Sequence, residues 1–405
     1  MLGAVTMVPA RASGDPVGGA PFTGLRIVEL GGAVASAAAT KRFSDLGAEV
    51  VKVEPPGGAP LRRLRPFPGD RPGPDVGAFH VALDTGKRSL LLDLGTPSGR
   101  EVLGRLAAGA DLLVSDLPAG QARTLRARLA EGESGPSTVW ITPHGLEGPF
   151  AGRRENDASL FAWSTRAFNQ RLPRAPDRGP LRYAPFLAEV QVGATAAAVG
   201  AAVVWARSRD GVRRVVDLSA VEALAGNVDS AFFLHAMTGT SDTYPRPSDL
   251  GARTYACRDG HVLMLQVDRE PARSRVRELL GAAGSGAEGE RPVEDSLRSW
   301  LTARTKQDAF ESLQRAGVIA APILDASELL SDPQAAARGS YVRMRHPSLG
   351  ETTIAGPPFR VASGAGGSWE ARPAPAPGAD TAAILSELGY APEEQIALAR
   401  AGVAP

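Results

Sequence analysis

The sequence predicts an α/β fold with a mainly parallel, doubly wound sheet, and two observations carry that expectation. Strand-like and helix-like segments alternate from about residue 24 to residue 220, the order that builds βαβ units. One block, residues 24–94, holds the densest part of the pattern: GLRIVELGG, SDLGAEVVKVEPPGG and FHVALDTGKRSLLLDL.

The first strand is marked by Leu25, Ile27, Val28 and Leu30. A connecting helix follows from Ala37 to Leu46, and Val50, Val51 and Val53 form the next strand, bounded by Gly47 and the breaker Pro55-Pro56. LRRLRPFPGDRPGPD (61–75) reads as an exposed loop before LLLDL resumes a strand. GREVLGRLAAGA predicts an amphipathic helix, and DLLVSDL and TVWITP (138–143) two more strands. Residues 190–206 are almost uncharged and approach the roughly 20 residues that span a bilayer; their alanines, with Gly193 and Gly200, predict a tightly packed core helix instead. After VVDLSAVEAL a second group begins, with HVLMLQV as a strand, helices near 293–303 and 306–316, and an extended GVIAAPIL. The Pro- and Ala-rich stretch 372–380 predicts an extended arm, followed by two short helices, TAAILSELG and EEQIALARAG.

At 405 residues the chain exceeds what one core usually fills, so two structural regions are expected. Its 45 basic side chains nearly balance 44 acidic ones, leaving no net field for nucleic acid or an anionic membrane. A lone cysteine, Cys257, forms no internal disulfide and reads as a small buried thiol; no metal site is expected. Residues 1–20 lack a basic start and a sustained apolar centre, which predicts a disordered leader and a cytoplasmic protein. No GxGxxG follows the first strand, where the chain reads Gly31-Gly32-Ala33-Val34-Ala35-Ser36, so a dinucleotide site has little support.

LGAEVVKVEPPGG, GKRSLLLDL, ADLLVSD, VVDLSAVEAL, YACRDGHV, AGVIAAPIL and SDPQAAARGSYVRMRHPSLG together resemble the class III CoA-transferases, the group of formyl-CoA and carnitine CoA-transferases and α-methylacyl-CoA racemase, over about residues 22–390. The resemblance implies a large Rossmann-like domain with a parallel sheet made from both chain ends (21–220 and 336–405, the latter with the tail), a linker and smaller α+β domain between them (221–335), and two identical subunits interlocked as rings. It also implies coenzyme A and acyl-CoA as substrate, a small carboxylic acid as acceptor, and no tightly bound cofactor.

In that family a catalytic aspartate opens a helix of small residues; here the position is Glu189, in AEVQVG. Bottom-up, a glutamate opening an apolar helix is stabilised by the helix dipole, so the residue is either a structural charge or a positioned nucleophile. Its extra methylene moves the carboxylate by about a bond length relative to aspartate, a scale on which misplacement costs roughly 10²-fold. Asp157, in RRENDASLF, matches an acidic residue that assists the catalytic aspartate; the plain alternative is that it caps the helix beginning ASLFAWS. The racemase branch has His-Asp where this chain has Asn156-Asp157, and asparagine does not shuttle protons. His144 is either a substitute base or a structural loop residue.

The same resemblance places Val34, Ala35, Leu92, Asp116 and Leu117 along the nucleotide and pantetheine, and Arg123 and Arg154 toward the phosphates, although most arginines are simply solvated. Departures cluster there: Ala35-Ser36-Ala37 replaces Ala-Gly-Pro, Asp84 replaces an asparagine, and Asp116 replaces another, adding a charge that repels phosphate. The reading is CoA transfer through a glutamyl anhydride and thioester. Its alternatives are another acyl-group reaction, isomerase or lyase, and a catalytically silent subunit.

Overall fold

The computed structural model describes residues 20–130, 135–169, 179, 184–226, 230–240, 253–264, 270–281, 290–360 and 369–405. The expected leader, apart from Ala20, lies outside the described residues.

Six strands, β1 (Arg26–Leu30), β2 (Glu49–Glu54), β3 (Arg88–Leu91), β4 (Leu112–Ser115), β5 (Ser137–Thr142) and β6 (Val215–Ser219), form one sheet in the order β3-β2-β1-β4-β5-β6. Every pairing is parallel. Such a sheet is covered on both faces, which is why its central strands carry apolar residues at successive positions. Ile27, Val50, Leu112 and Val139 belong to one core; Val28, Val51, Leu113 and Trp140 belong to the other.

Helix α1 (Val34–Asp45) joins β1 to β2; α2 (Ala78–Leu83), α3 (Pro97–Ala108) and α4 (Ala119–Ala130) follow in the same alternation. After β5 come α5 (Asp157–Trp163), the single turn α6 (Arg166–Asn169) and the long α7 (Leu187–Asp210), which leads to β6. The small residues of α7 set how closely it approaches α1. A Cβ added at Gly193 would fall 2.7 Å from the Ala35 carbonyl oxygen and 2.7 Å from Ala38 Cβ. The expected core packing of 190–206 is thus found on one face, with Val192, Ala196 and Ala197 buried; Trp205, on the same helix, is 63% exposed.

All six strands come from residues 26–219, which corrects the expectation of a sheet made from both chain ends. The C-terminal part contributes a separate antiparallel hairpin, Tyr341–His346 with Gly350–Ala355, and two helices, Thr381–Glu387 and Pro392–Arg400. The hairpin buries alternate residues, Met344, His346 and Ile354, a one-faced pattern unsuited to the interior of a parallel sheet. Ile384 and Leu385 instead pack on the core containing Val28 and Leu30.

A second correction concerns the first two residues of 61–75, the rest of which is exposed or half-buried as expected. Leu61 and Arg62 are buried, because the Arg62 guanidinium grips the buried Glu54 carboxylate with two hydrogen bonds of 2.6 Å and donates to the Pro375 carbonyl at 3.0 Å. Arginine in a loop-like stretch here pins the C-terminal arm.

The chain divides into two compact units, 1–241 with 339–405, and 242–338. The boundary falls later than residue 221 because α8 (Ala220–Gly226) places Leu224 in the same core as Val203 and Leu218. The second unit has a three-stranded antiparallel sheet, Arg253–Cys257, Gly260–Met264 and Ala320–Pro322, and helices Ala272–Leu279, Glu290–Thr302 and Lys306–Arg315. Tyr255, Val262, Met264, Leu301 and Leu313 form its core, and the half-buried Cys257 packs against them.

Candidate active site

From β1 the chain winds outward through α1 to β2, and β4 pairs on the other side of β1, so the crossover direction reverses between β1 and β4. Ligand sites of open α/β sheets lie beyond the strand C-termini at such a reversal. Two segments meet there: the Gly31-Gly32 turn after β1 and the Asp116-Leu117 turn after β4.

The first turn of α1 has free amides and an N-cap, Ala33, with no side chain able to satisfy them. Asp116 does so from another segment, its Oδ2 accepting from the Ser36 amide at 3.1 Å and its Oδ1 standing 3.4 Å from the Ala33 amide. Gly31, at φ +104, leaves room for this approach, since a Cβ there would overlap Asp116 Oδ1.

Helix α7 begins after Phe186, which has a left-handed backbone (φ 66) and gives no side-chain cap. Again the cap arrives from elsewhere: the Glu189 amide donates to Asp157 Oδ1 at 3.2 Å. Asp157 therefore does not cap its own helix. Asn156 caps α5, accepting from the Ser159 amide at 3.0 Å while Ser159 Oγ accepts from the Asn156 amide at 2.9 Å.

Close packing of α7 on α1 brings Glu189, one turn before Gly193, to the amide of Val34. Burial pushes the Glu189 carboxyl up to about 7, with the Asp116 and Asp157 charges adding to the rise and the Val34 amide opposing it. Burial likewise pushes the Asp116 carboxyl above its ordinary value.

The structure thus gathers Glu189, Asp157, Asp116, Val34 and Ala35 around the first turns of two helices. Leu117 borders the same turn as Asp116 and packs inward. Leu92 is enclosed in the core with Val28 and Leu30, Arg123 donates to the Leu146 carbonyl at 2.8 Å, and Arg154 is exposed. His144 is tied to Glu155 at 2.9 Å and stacked edge-on to Phe150 and Trp163, so its imidazole is a structural group. No cluster of three or more metal-binding side chains occurs among the described residues.

Beneath the site lies a group of buried charges, and Asp84, expected along the CoA, is enclosed within it. Lys52 and Lys87 are both shared between Glu29 and Asp84 at 2.6–3.2 Å. His80 bridges Asp84 to Arg62, Arg62 binds Glu54, and Thr40 Oγ1 donates to Glu29 at 2.5 Å. The signal was available: Glu29 and Lys52 interrupt apolar runs on adjacent strands, and they are direct partners in the β1–β2 register.

The fold itself has close counterparts. A crystal structure of a CAIB/BAIF family protein from Brucella suis superposes with a TM-score of 0.76, covering 91% of this chain and 100% of that one at 23% identity. The deciding observation is that the sequence profile of CoA-transferase family III matches residues 22–381. The chain belongs to CoA-transferase family III.

Among family III relatives, the succinyl-CoA:(R)-benzylsuccinate CoA-transferase subunit BbsE of Thauera aromatica is 28% identical over 92% of this chain and 95% of its own length. The succinyl-CoA--D-citramalate CoA-transferase of Chloroflexus aurantiacus is 27% identical over 94% and 97%. Both relatives therefore align with the chain over more than nine-tenths of its length.

Proposed function

We propose that this protein transfers coenzyme A from an acyl-CoA to a carboxylic acid, with Glu189 as the nucleophile. The observation that carries the reading is the placement of Glu189: a raised carboxyl opening α7, held against the first turn of α1 at the β1/β4 reversal.

In this reading a Glu189 carboxylate oxygen attacks the thioester carbon, the C–S bond breaks and CoA leaves as its thiolate. The thiolate then attacks the glutamyl carbonyl of the mixed anhydride, releasing the first carboxylic acid and leaving an enzyme glutamyl-CoA thioester. The acceptor carboxylate reverses the sequence and departs as the new acyl-CoA. The Val34 amide faces the carboxyl on which charge is redistributed at each step, which suits it to stabilise the tetrahedral oxyanion. Asp157 fixes the backbone that carries the nucleophile.

Racemisation is disfavoured, because Asn156 is consumed in capping α5 and His144 is paired with Glu155. The reading includes a cytoplasmic homodimer of interlocked subunits, small carboxylic acids as acceptors and no tightly bound cofactor; Val34, Ala35, Asp116 and Leu117 border the bound thioester, with Arg123 and Arg154 toward its phosphates. Because the relatives named above use succinyl-CoA, that thioester is the first donor to test. Purified protein incubated with succinyl-CoA and a panel of mono- and dicarboxylates is expected to yield new acyl-CoA thioesters by mass spectrometry. Absence of any exchange across the panel, under conditions where a known transferase is active, contradicts the reading.

A further inference from the structure

Asp116 stands in the crevice where the resemblance expects an asparagine along the CoA, yet both of its oxygens face amides of the α1 first turn. Glu189 faces the amide of Val34, between those of Ala33 and Ser36. Successive residues of a helix rise only about 1.5 Å, so two carboxyls dividing one turn are held within a few ångströms of each other. We infer that Asp116 is a positioning residue for Glu189: sharing the α1 first turn, it disfavours the free Glu189 carboxylate relative to the neutral glutamyl anhydride and so drives the covalent step forward.

The inference rests on the functional reading above and deepens it. When the Glu189 oxygen bonds to the acyl carbon, the negative charge leaves the glutamyl group with the departing CoA thiolate. Repulsion by Asp116 exists before that step and is relieved by it. The groups facing Glu189 from the packed elements are Asp116 on the β4–α4 turn, Asp157 on α5 and the Val34 amide on α1; none of these is a cation. Glu29 on β1 is the next acid behind Asp116, and it is neutralised by Lys52 and Lys87. The raised Glu189 and Asp116 carboxyls agree with two acids competing for one set of donors.

The longer glutamate reaches the Val34 amide, while Asp116 occupies the flanking ones.

The test is Asp116→Asn, which removes the charge and keeps one oxygen acceptor, with Asp116→Ser as a second neutral variant that retains an acceptor. Two readouts apply. Without substrate, the stability difference between each background and its Glu189→Gln counterpart, followed from pH 4 to 9, reports the titration of Glu189 whether or not transfer occurs. With succinyl-CoA, mass spectrometry reports the fraction of enzyme carrying a Glu189 adduct. Loss of the Asp116 charge is expected to lower the Glu189 midpoint from about 7 by about one pH unit or more. The ratio of adduct to free enzyme above that midpoint is expected to fall by about tenfold per unit.

A merely structural Asp116 would alter stability without moving the midpoint. An unchanged midpoint in both neutral variants overturns the inference even where transfer is intact. A wild-type protein that shows neither exchange nor adduct overturns the functional reading and, with it, the covalent half of the inference.

Discussion

The amide of Glu189 donates to the carboxylate of Asp157 at 3.2 Å, so the residue read as the nucleophile is held at its backbone by an acid from another helix. Asp157→Ala removes the only side-chain acceptor seen at the start of α7 among the described residues and is expected to destabilise the protein by ~0.5–2 kcal/mol. Asp157→Asn keeps an acceptor and is expected to recover much of that loss. Denaturant unfolding of the two variants checks the order; equal losses would show that the charge, rather than the cap, is what matters.

The Glu189 carboxyl makes stability depend on pH in a defined direction. Its folded value, about 7, lies above the ordinary value of 4.5, so folding favours the protonated form. Its contribution is fully present below pH 4.5 and is lost as pH rises through about 7. Glu189→Gln, which cannot ionise, is expected to stabilise the protein at pH 8 by up to ~3 kcal/mol and to have little effect at pH 4.5. Thermal unfolding of both proteins at those pH values checks the sign. A gain confined to low pH would contradict the assignment.

Gly193 sets the α1–α7 distance. Gly193→Ala would place a methyl 2.7 Å from the Ala35 carbonyl and force the helices apart. Overpacking of this kind costs ~1–3 kcal/mol, and displacement of a reacting group by about 1 Å costs on the order of 10²-fold in rate. The variant is expected to lose far more transfer activity than its stability loss explains, as measured at a temperature where it remains folded.

Lys52 balances Glu29 and Asp84 with no exposure to solvent; burial pushes the Asp84 carboxyl up, but the Lys52 and Lys87 charges and the His80 hydrogen bond hold it well below the usual carboxylate range. Lys52→Met leaves buried acid without a partner and is expected to cost ~3–5 kcal/mol. Lys52→Met combined with Glu29→Gln is expected to recover part of that loss in unfolding experiments, because the remaining charges are closer to balance.

Much of the large domain was legible from local pattern. Apolar runs located five of the six strands, VVDLS of β6 going unassigned, and the small residues of 190–206 announced a closely packed helix. The family resemblance pointed to Glu189 and Asp157, but their geometry was not readable. Asp157 sits at a natural capping position in sequence, yet Asn156 takes that role and frees Asp157 to bind a backbone 32 residues away. Asp116 was read as a group repelling phosphate, because nothing in its neighbours reveals that the first turn of α1 lacks its own cap. Arg62 looked solvated, because its partner Glu54 ends a strand before the loop and the Pro375 carbonyl lies more than 300 residues on. The Asp157, Asp116 and Pro375 contacts join distant segments, and such contacts carry no local signature.

The central claim is that Glu189 becomes covalently acylated, and trapping tests it most directly. Protein incubated with succinyl-CoA is treated with hydroxylamine or borohydride, digested and mapped by mass spectrometry, with Glu189→Gln as control. A modified peptide with the change at Glu189, absent in the control, is expected. Exchange of CoA by the wild-type protein with Glu189 unmodified, or undiminished exchange by Glu189→Gln, would contradict it.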